Sequence, residues 1–307
     1  MAGVLDRRAL LGASAAAGAV LISRPAMAAE ASSPVTVRNS AEFEMKNAEG
    51  YTYRILVSLP LQPTPPEGFP VLYVLDGNSV FGTVTDMVRG QSRFPKDTGI
   101  SPAIVVGIGY PIDGPFDSER RVFDLTVPTA ASEFPPRPDG KPRDENATGG
   151  ADAFTRFIIE TVQPEIARRW KVDRNRQILS GHSLGGLFCL NMMFHHFGHF
   201  RGYIALSPSV WWKRRYILAA AKEFAARQQA RVWTESLFIG VGEREQDSSE
   251  PEETRMVDNA RLVSDVLQPL TARGFANGFA IAPDEHHRSA VPALISRASR
   301  FVFAAMA

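Results

Sequence analysis

Gln177-Ile178-Leu179-Ser180-Gly181-His182-Ser183-Leu184-Gly185-Gly186 decides the reading of this chain, with Leu187-Phe188-Cys189-Leu190 directly behind it. A short apolar run predicts a strand, and the second apolar run predicts a helix. Gly181-x-Ser183-x-Gly185 between them matches the elbow pattern that lifts one serine to a sharp strand-to-helix corner. Glycines belong at such a corner because it leaves no space for β-carbons against the neighbouring strand and helix. The helix beginning after Ser183 directs its free N–H groups and its dipole at that hydroxyl, where an oxyanion forms during acyl transfer.

Working outward, Val71–Leu75 and Ala103–Ile108 are continuous apolar runs, the mark of strands buried on both faces of a sheet. The first stops abruptly at Asp76-Gly77-Asn78. Upstream, Ser33–Met45 and Tyr51–Leu59 alternate as an antiparallel pair around a turn at Asn47–Gly50. Downstream, a helical period over Asp152–Trp170 precedes the elbow. Strands Tyr203–Leu206, Ser236–Val241 and Gly278–Ala282 then alternate with helices Trp212–Ala226, Thr254–Arg273 and Ala290–Phe303. Buried strands alternating with amphipathic helices imply an α/β domain, a mostly parallel sheet with helices on both faces. Tyr110–Gly150 is the outlier, rich in Pro, Gly and charge without a sustained period, and it follows a buried strand. It is expected to form a partial lid at the active-site edge of the sheet.

The chain has 307 residues, 44% of them hydrophobic and 22% charged, with a net charge of +1. That is enough for one large core, and it gives no reason to expect nucleic acid as a partner. Asp6-Arg7-Arg8-Ala9-Leu10-Leu11, an apolar stretch to Ile22 and Ala26-Met27-Ala28 read as a twin-arginine signal peptide over 1–28. The expectation is export by the Tat machinery, cleavage near Ala28, and a single periplasmic domain over 29–307 with the lid at 110–150. The lone cysteine, Cys189, lies in an apolar run and is expected to be buried and inert.

A serine hydroxyl needs a base, and the base needs an orienting group. In sheets of this kind the chain order is serine, acid, histidine. After strand Gly278–Ala282 come His286 and His287, between which spacing does not choose. After strand Ser236–Val241 come Glu243, Glu245 and Asp247, while Asp284 and Glu285 flank the histidines. The oxyanion donors are expected at the backbone N–H of Leu184 and at Gly77 or Asn78. His195, His196 and His199 lack a His-Glu-x-x-His pattern, and Gly240-x-Gly242 lacks a third glycine. No metal and no cofactor are therefore expected.

Several motifs together resemble the putative-esterase (esterase D-like) family of α/β-hydrolases. They are Leu75-Asp76-Gly77-Asn78, Arg120-Arg121-x-x-Asp124-Leu125-Thr126, Gly149-Gly150-Ala151-Asp152-Ala153-Phe154, the elbow, Ser207-Pro208-Ser209-x-Trp211-Trp212 and His287-x-Ser289. Within it the chain is most similar to exported esterases that open the trilactone of catecholate siderophores. The resemblance implies an α/β-hydrolase fold and a serine esterase with Ser183 as nucleophile, His287 as base and Glu245 as acid. It also implies an arginine in the site at Arg121, with a salt bridge to Asp124 as the ordinary alternative. Trp211 and Trp212 are then candidates for an aromatic wall against catechol rings, with core packing as the alternative for one of them. Feruloyl, carbohydrate or lipid esterases and acyltransferases share this triad. A non-catalytic siderophore-binding protein is disfavoured by the intact serine and histidine.

Overall fold

The computed structural model describes residues 36–134, 144–246 and 254–306. The signal-like segment 1–28, the middle of the expected lid (135–143) and the acid candidate Asp247 lie outside the described residues. The strands are β1 (Ser40–Lys46), β2 (Thr52–Ser58), β3 (Phe69–Leu75), β4 (Ile104–Gly109), β5 (Val172–His182), β6 (Gly202–Leu206), β7 (Ser236–Gly242) and β8 (Ala276–Ala282). They form one sheet in the order β1-β2-β4-β3-β5-β6-β7-β8. β1–β2 and β2–β4 pair antiparallel, and every pair from β4–β3 to β7–β8 is parallel. The helices are α1 (Gly77–Gln91), α2 (Pro95–Thr98), α3 (Ser118–Leu125), α4 (Ala151–Arg156), α5 (Gln163–Arg169), α6 (Leu184–His195), α7 (Trp212–Arg227), α8 (Met256–Leu267) and α9 (Ala290–Ala304).

The two-residue period of the strands divides the core into two layers. Leu72, Val74, Ile178 and Ile204 face α1 and α9, where Val84, Val88, Leu294 and Val302 are buried. Tyr73, Leu179, Tyr203 and Ile239 face the opposite way, toward Phe188, Ile217, Phe224 and Val263. Each such side chain, fully buried, contributes about 1.5–3 kcal/mol. Helices thus cover both faces, and the carboxyl ends of the parallel strands collect at one edge, where α/β sheets place their sites.

Four expectations change. The strand expected from Ser33 begins at Ser40. The helix expected over Asp152–Trp170 contains a π-type turn at Phe157–Val162, just before Pro164. Proline has no N–H and crowds the carbonyl four residues back, so the widened turn absorbs the mismatch. Pro269 likewise ends α8 early, and Gln268–Arg273 continues as 3₁₀-helix. Finally, the expected elements include none of α1, α2 and α3. The buried positions Phe81, Val84 and Val88 of α1 have helical spacing and carried the missed signal.

Candidate active site

β5 ends at His182 and α6 begins at Leu184, so Ser183 alone makes the corner, with φ 59° and ψ −117°. A non-glycine residue held there stores on the order of 1–3 kcal/mol of strain. Its surroundings hold it: the Ser183 N–H donates to the Leu206 carbonyl at 2.9 Å, and the Ser183 carbonyl accepts from the Leu187 N–H at 3.0 Å and the Ser209 N–H at 3.1 Å. A β-carbon on Gly181 would meet the Gly185 carbonyl carbon at 2.3 Å, and one on Gly186 the Leu206 oxygen at 2.9 Å. The glycines are therefore set by close approach between the elbow strand, its helix and the end of β6.

Two loops from the far end of the chain reach this corner. His287 Nε2 lies 3.0 Å from Ser183 Oγ, and His287 Nδ1 lies 2.6 Å from Glu245 Oε2. Glu245 follows β7 in a 3₁₀ turn, and its side chain is 2% exposed. Its Oε1 accepts from Ser207 Oγ and from the Gly242 N–H, both at 2.6 Å. Burial works to raise the Glu245 pKa, but the hydrogen bonds from His287, Ser207 and Gly242 outweigh it and hold the carboxyl below its ordinary value. An ionised carboxylate on Nδ1 leaves Nε2 free to accept the Ser183 proton.

The remaining candidates in these loops are otherwise engaged. His286 is exposed, and its backbone joins the turn that starts α9, donating to Ser289 Oγ and accepting from the Ser289 and Ala290 N–H groups. Glu243 accepts from the Asp284 N–H, Asp284 pairs with Arg244 at 2.9 Å, and the Glu285 carbonyl accepts from the Arg244 N–H. These contacts tie the loop after β7 to the loop after β8.

Leu184 is the first residue of α6, and Gly77 and Asn78 open α1. The N–H groups of a helix's first turn have no acceptor within the helix, so all three positions carry donors suited to an oxyanion. The Asn78 side chain is spent elsewhere: its Oδ1 accepts from the Tyr110 N–H at 2.8 Å, and its Nδ2 donates to the Tyr110 and Ile112 carbonyls. Ser183 and His287 border a cavity of about 730 Å³ between α1, the start of α9 and the chain from Pro115 to Val122. Val80, Val84, Phe116, Val291 and Ile295 give it an apolar lining, while Arg121 and the exposed Arg288 supply guanidinium groups.

Arg121 does reach the cavity wall, but its guanidinium is bound bidentately to Asp76, at 2.9 and 2.8 Å. Asp124 is instead the partner of Arg120, 2.7 Å away, and Asp124 also accepts from Tyr53 Oη. The alternative salt bridge between Arg121 and Asp124 is thus replaced by two pairs, because consecutive residues of α3 point to different sides of the helix. Of the two readings of the tryptophans, core packing holds for Trp212 and the aromatic wall is not formed at this cavity. Neither Trp211 nor Trp212 lines this cavity. Trp212 is buried, donates to Thr129 Oγ1 at 3.0 Å and packs edge-on against Phe134. Left-handed φ angles at Lys213, Arg214 and Arg215 turn the chain sharply just behind it. The sequence reading quoted Ser207 and Ser209 only as part of a motif and gave them no role; Ser207 anchors the acid, and Ser209 Oγ lies 3.3 Å from Ser183 Oγ. Their place directly after β6, the strand beside β5, was the available signal.

Residues 47–290 match the family model described as "Putative esterase". The chain belongs to that family. It is 44% identical over 253 residues to the ferri-bacillibactin esterase BesA of Bacillus subtilis, covering 82% of this chain and 85% of that one. It is 37% identical over 224 residues to the siderophore enterobactin esterase of Emericella nidulans, covering 69% and 72% of the two. Among solved structures, the BES protein of Bacillus cereus superposes with a TM-score of 0.79 at 37% identity, covering 88% of this chain and 98% of that one. As a member of this esterase family the chain is a carboxylic ester hydrolase with an α/β-hydrolase fold.

Proposed function

We propose that this esterase opens the ester bonds of a siderophore lactone by acyl transfer through Ser183. The observation that carries the mechanism is the unbroken hydrogen-bond chain from Ser183 Oγ through His287 to the buried Glu245. Ser183 Oγ attacks the ester carbonyl as His287 Nε2 takes its proton. The N–H groups of Leu184 and of Gly77 or Asn78 stabilise the oxyanion. The leaving hydroxyl takes the proton back from His287, and water then releases the acyl group by the same steps, yielding a carboxylate.

The substrate class comes from the relatives, which are named for siderophore esters. Arg288 adds support from this chain itself. It borders the cavity beside His287 and has no ion-pair partner among the described residues, so it favours an anionic ligand such as a ferric catecholate. The twin arginines Arg7-Arg8 and the apolar stretch behind them support Tat-dependent export to the periplasm with cleavage near Ala28.

Incubation with apo and ferric catecholate trilactones, a feruloylated sugar and a short acyl ester, followed by mass spectrometry, tests the substrate. The siderophores should show the highest kcat/KM, and preference for the sugar or short ester would redirect the assignment. Ser183→Ala should lower kcat by about 10⁶, and retained turnover would end the acyl-enzyme reading.

A further inference from the structure

His182 stands immediately before Ser183, and nothing in the proposed acyl-transfer steps uses it. Its Nε2 lies 2.7 Å from the backbone carbonyl oxygen of His287. A carbonyl only accepts, so this nitrogen carries the hydrogen, and the tautomer is settled by the partner. The two imidazoles also pack against each other, with centroids 4.5 Å apart and planes inclined by 42°. His287 is thereby held at two points besides the serine: the ring at Nδ1 by Glu245, and the main chain at its carbonyl by His182.

We infer that His182 is a positioning residue for the base, tying the loop after β8 to the elbow so that His287 Nε2 stays within reach of Ser183. The inference rests on the roles proposed for Ser183 and His287. The contact joins residues 105 positions apart, and its donor sits one residue from the nucleophile. Any drift of the base loop relative to the elbow therefore has to break it. Burial, with a smaller contribution from the neighbouring His287, pushes the His182 pKa down to about 4. Near neutral pH it is an uncharged donor that adds no positive charge beside the imidazolium formed during turnover.

The test compares His182→Phe, which keeps a flat ring without a donor, with His182→Gln, whose terminal amide nitrogen reaches the place of Nε2. His182→Asn is the third variant, with an amide too short to reach. Kinetics with p-nitrophenyl acetate are read beside a thermal melt. A base displaced by a fraction of an ångström should lower kcat about 10- to 100-fold in the Phe and Asn variants with KM nearly unchanged. His182→Gln should recover most of the rate. Unchanged kcat in His182→Phe overturns the inference, and so does a Gln variant as slow as Asn. Should the Phe variant not fold, the Gln–Asn pair carries the test. Failure of the underlying mechanism would show separately, as turnover persisting in Ser183→Ala.

Discussion

Glu245, after β7, and Asp124, in α3, are both carboxylates with buried side chains, each beside a basic partner. Burial pushes both pKa values up, yet the two end on opposite sides of the ordinary range. Glu245 collects three hydrogen bonds, each of 2.6 Å, from His287, Ser207 and the Gly242 N–H, and these keep it below the ordinary range. Asp124 has Arg120 and Tyr53, yet burial outweighs both, with a further push from Asp117, and carries its pKa up to about 6. Its Oδ1 lies at ion-pair distance from Arg120 without an aligned hydrogen bond. The number and alignment of donors, more than the presence of a cation, decides how far into acid a buried carboxylate stays ionised. Glu245 orients the imidazole, while Asp124 ties α3 to β2.

Replacing the base should break the comparison most severely. His287→Ala is expected to lower kcat by about 10⁶, and His286→Ala to stay within about twofold, in ester turnover assays. Equal losses would mean that turnover needs both loop histidines. Glu245→Gln keeps the shape but removes the charge, and should lower kcat by about 10⁴ with little change in KM. A loss of only a few-fold would show that the base works without an ionised partner.

On the other side, Arg120→Met leaves Asp124 buried without its cation and should cost about 3–5 kcal/mol in urea unfolding. It should leave the kcat of the folded protein near wild type. A rate loss as large as that of Glu245→Gln would erase the distinction between the two carboxylates.

Acidity sharpens the contrast. A depressed pKa means that Glu245 stabilises the fold above its unfolded value of 4.5 and loses that contribution as pH falls. Asp124 runs the other way. Its folded pKa of about 6 exceeds the unfolded 3.8, so the folded state holds the proton more tightly, and stability drops as pH rises through that window. Relative to Asp124→Asn, the wild-type chain should lose at most about 3 kcal/mol between those limits in thermal melts. A constant difference would place Asp124 with Glu245 after all. The smallest effect is expected at the cavity rim. Arg288→Gln should raise KM a few-fold, roughly 1 kcal/mol, for an anionic ester, with less change for a neutral one and with attenuation by salt. Equal effects on both esters would remove charge recognition from Arg288.

The layered sheet, the serine corner and the loops that face it were legible in the residues, because they rest on local patterns. Apolar runs mark buried strands, glycines mark a crowded turn, and the chain order of an α/β sheet places the loops after β7 and β8 beside the elbow. Local pattern could not choose between His286 and His287, nor single out Glu245 from its neighbours. It offered Asp124 as the alternative partner of Arg121, where the partner is Asp76, and it left open which tryptophan packs in the core. Each of those outcomes depends on the direction one side chain takes from its loop or helix, and on a partner far along the chain, 104 positions for His287 and Ser183 and 45 for Arg121 and Asp76. Spacing along a sequence holds no record of that direction, which is set only when the sheet edge brings the loops together.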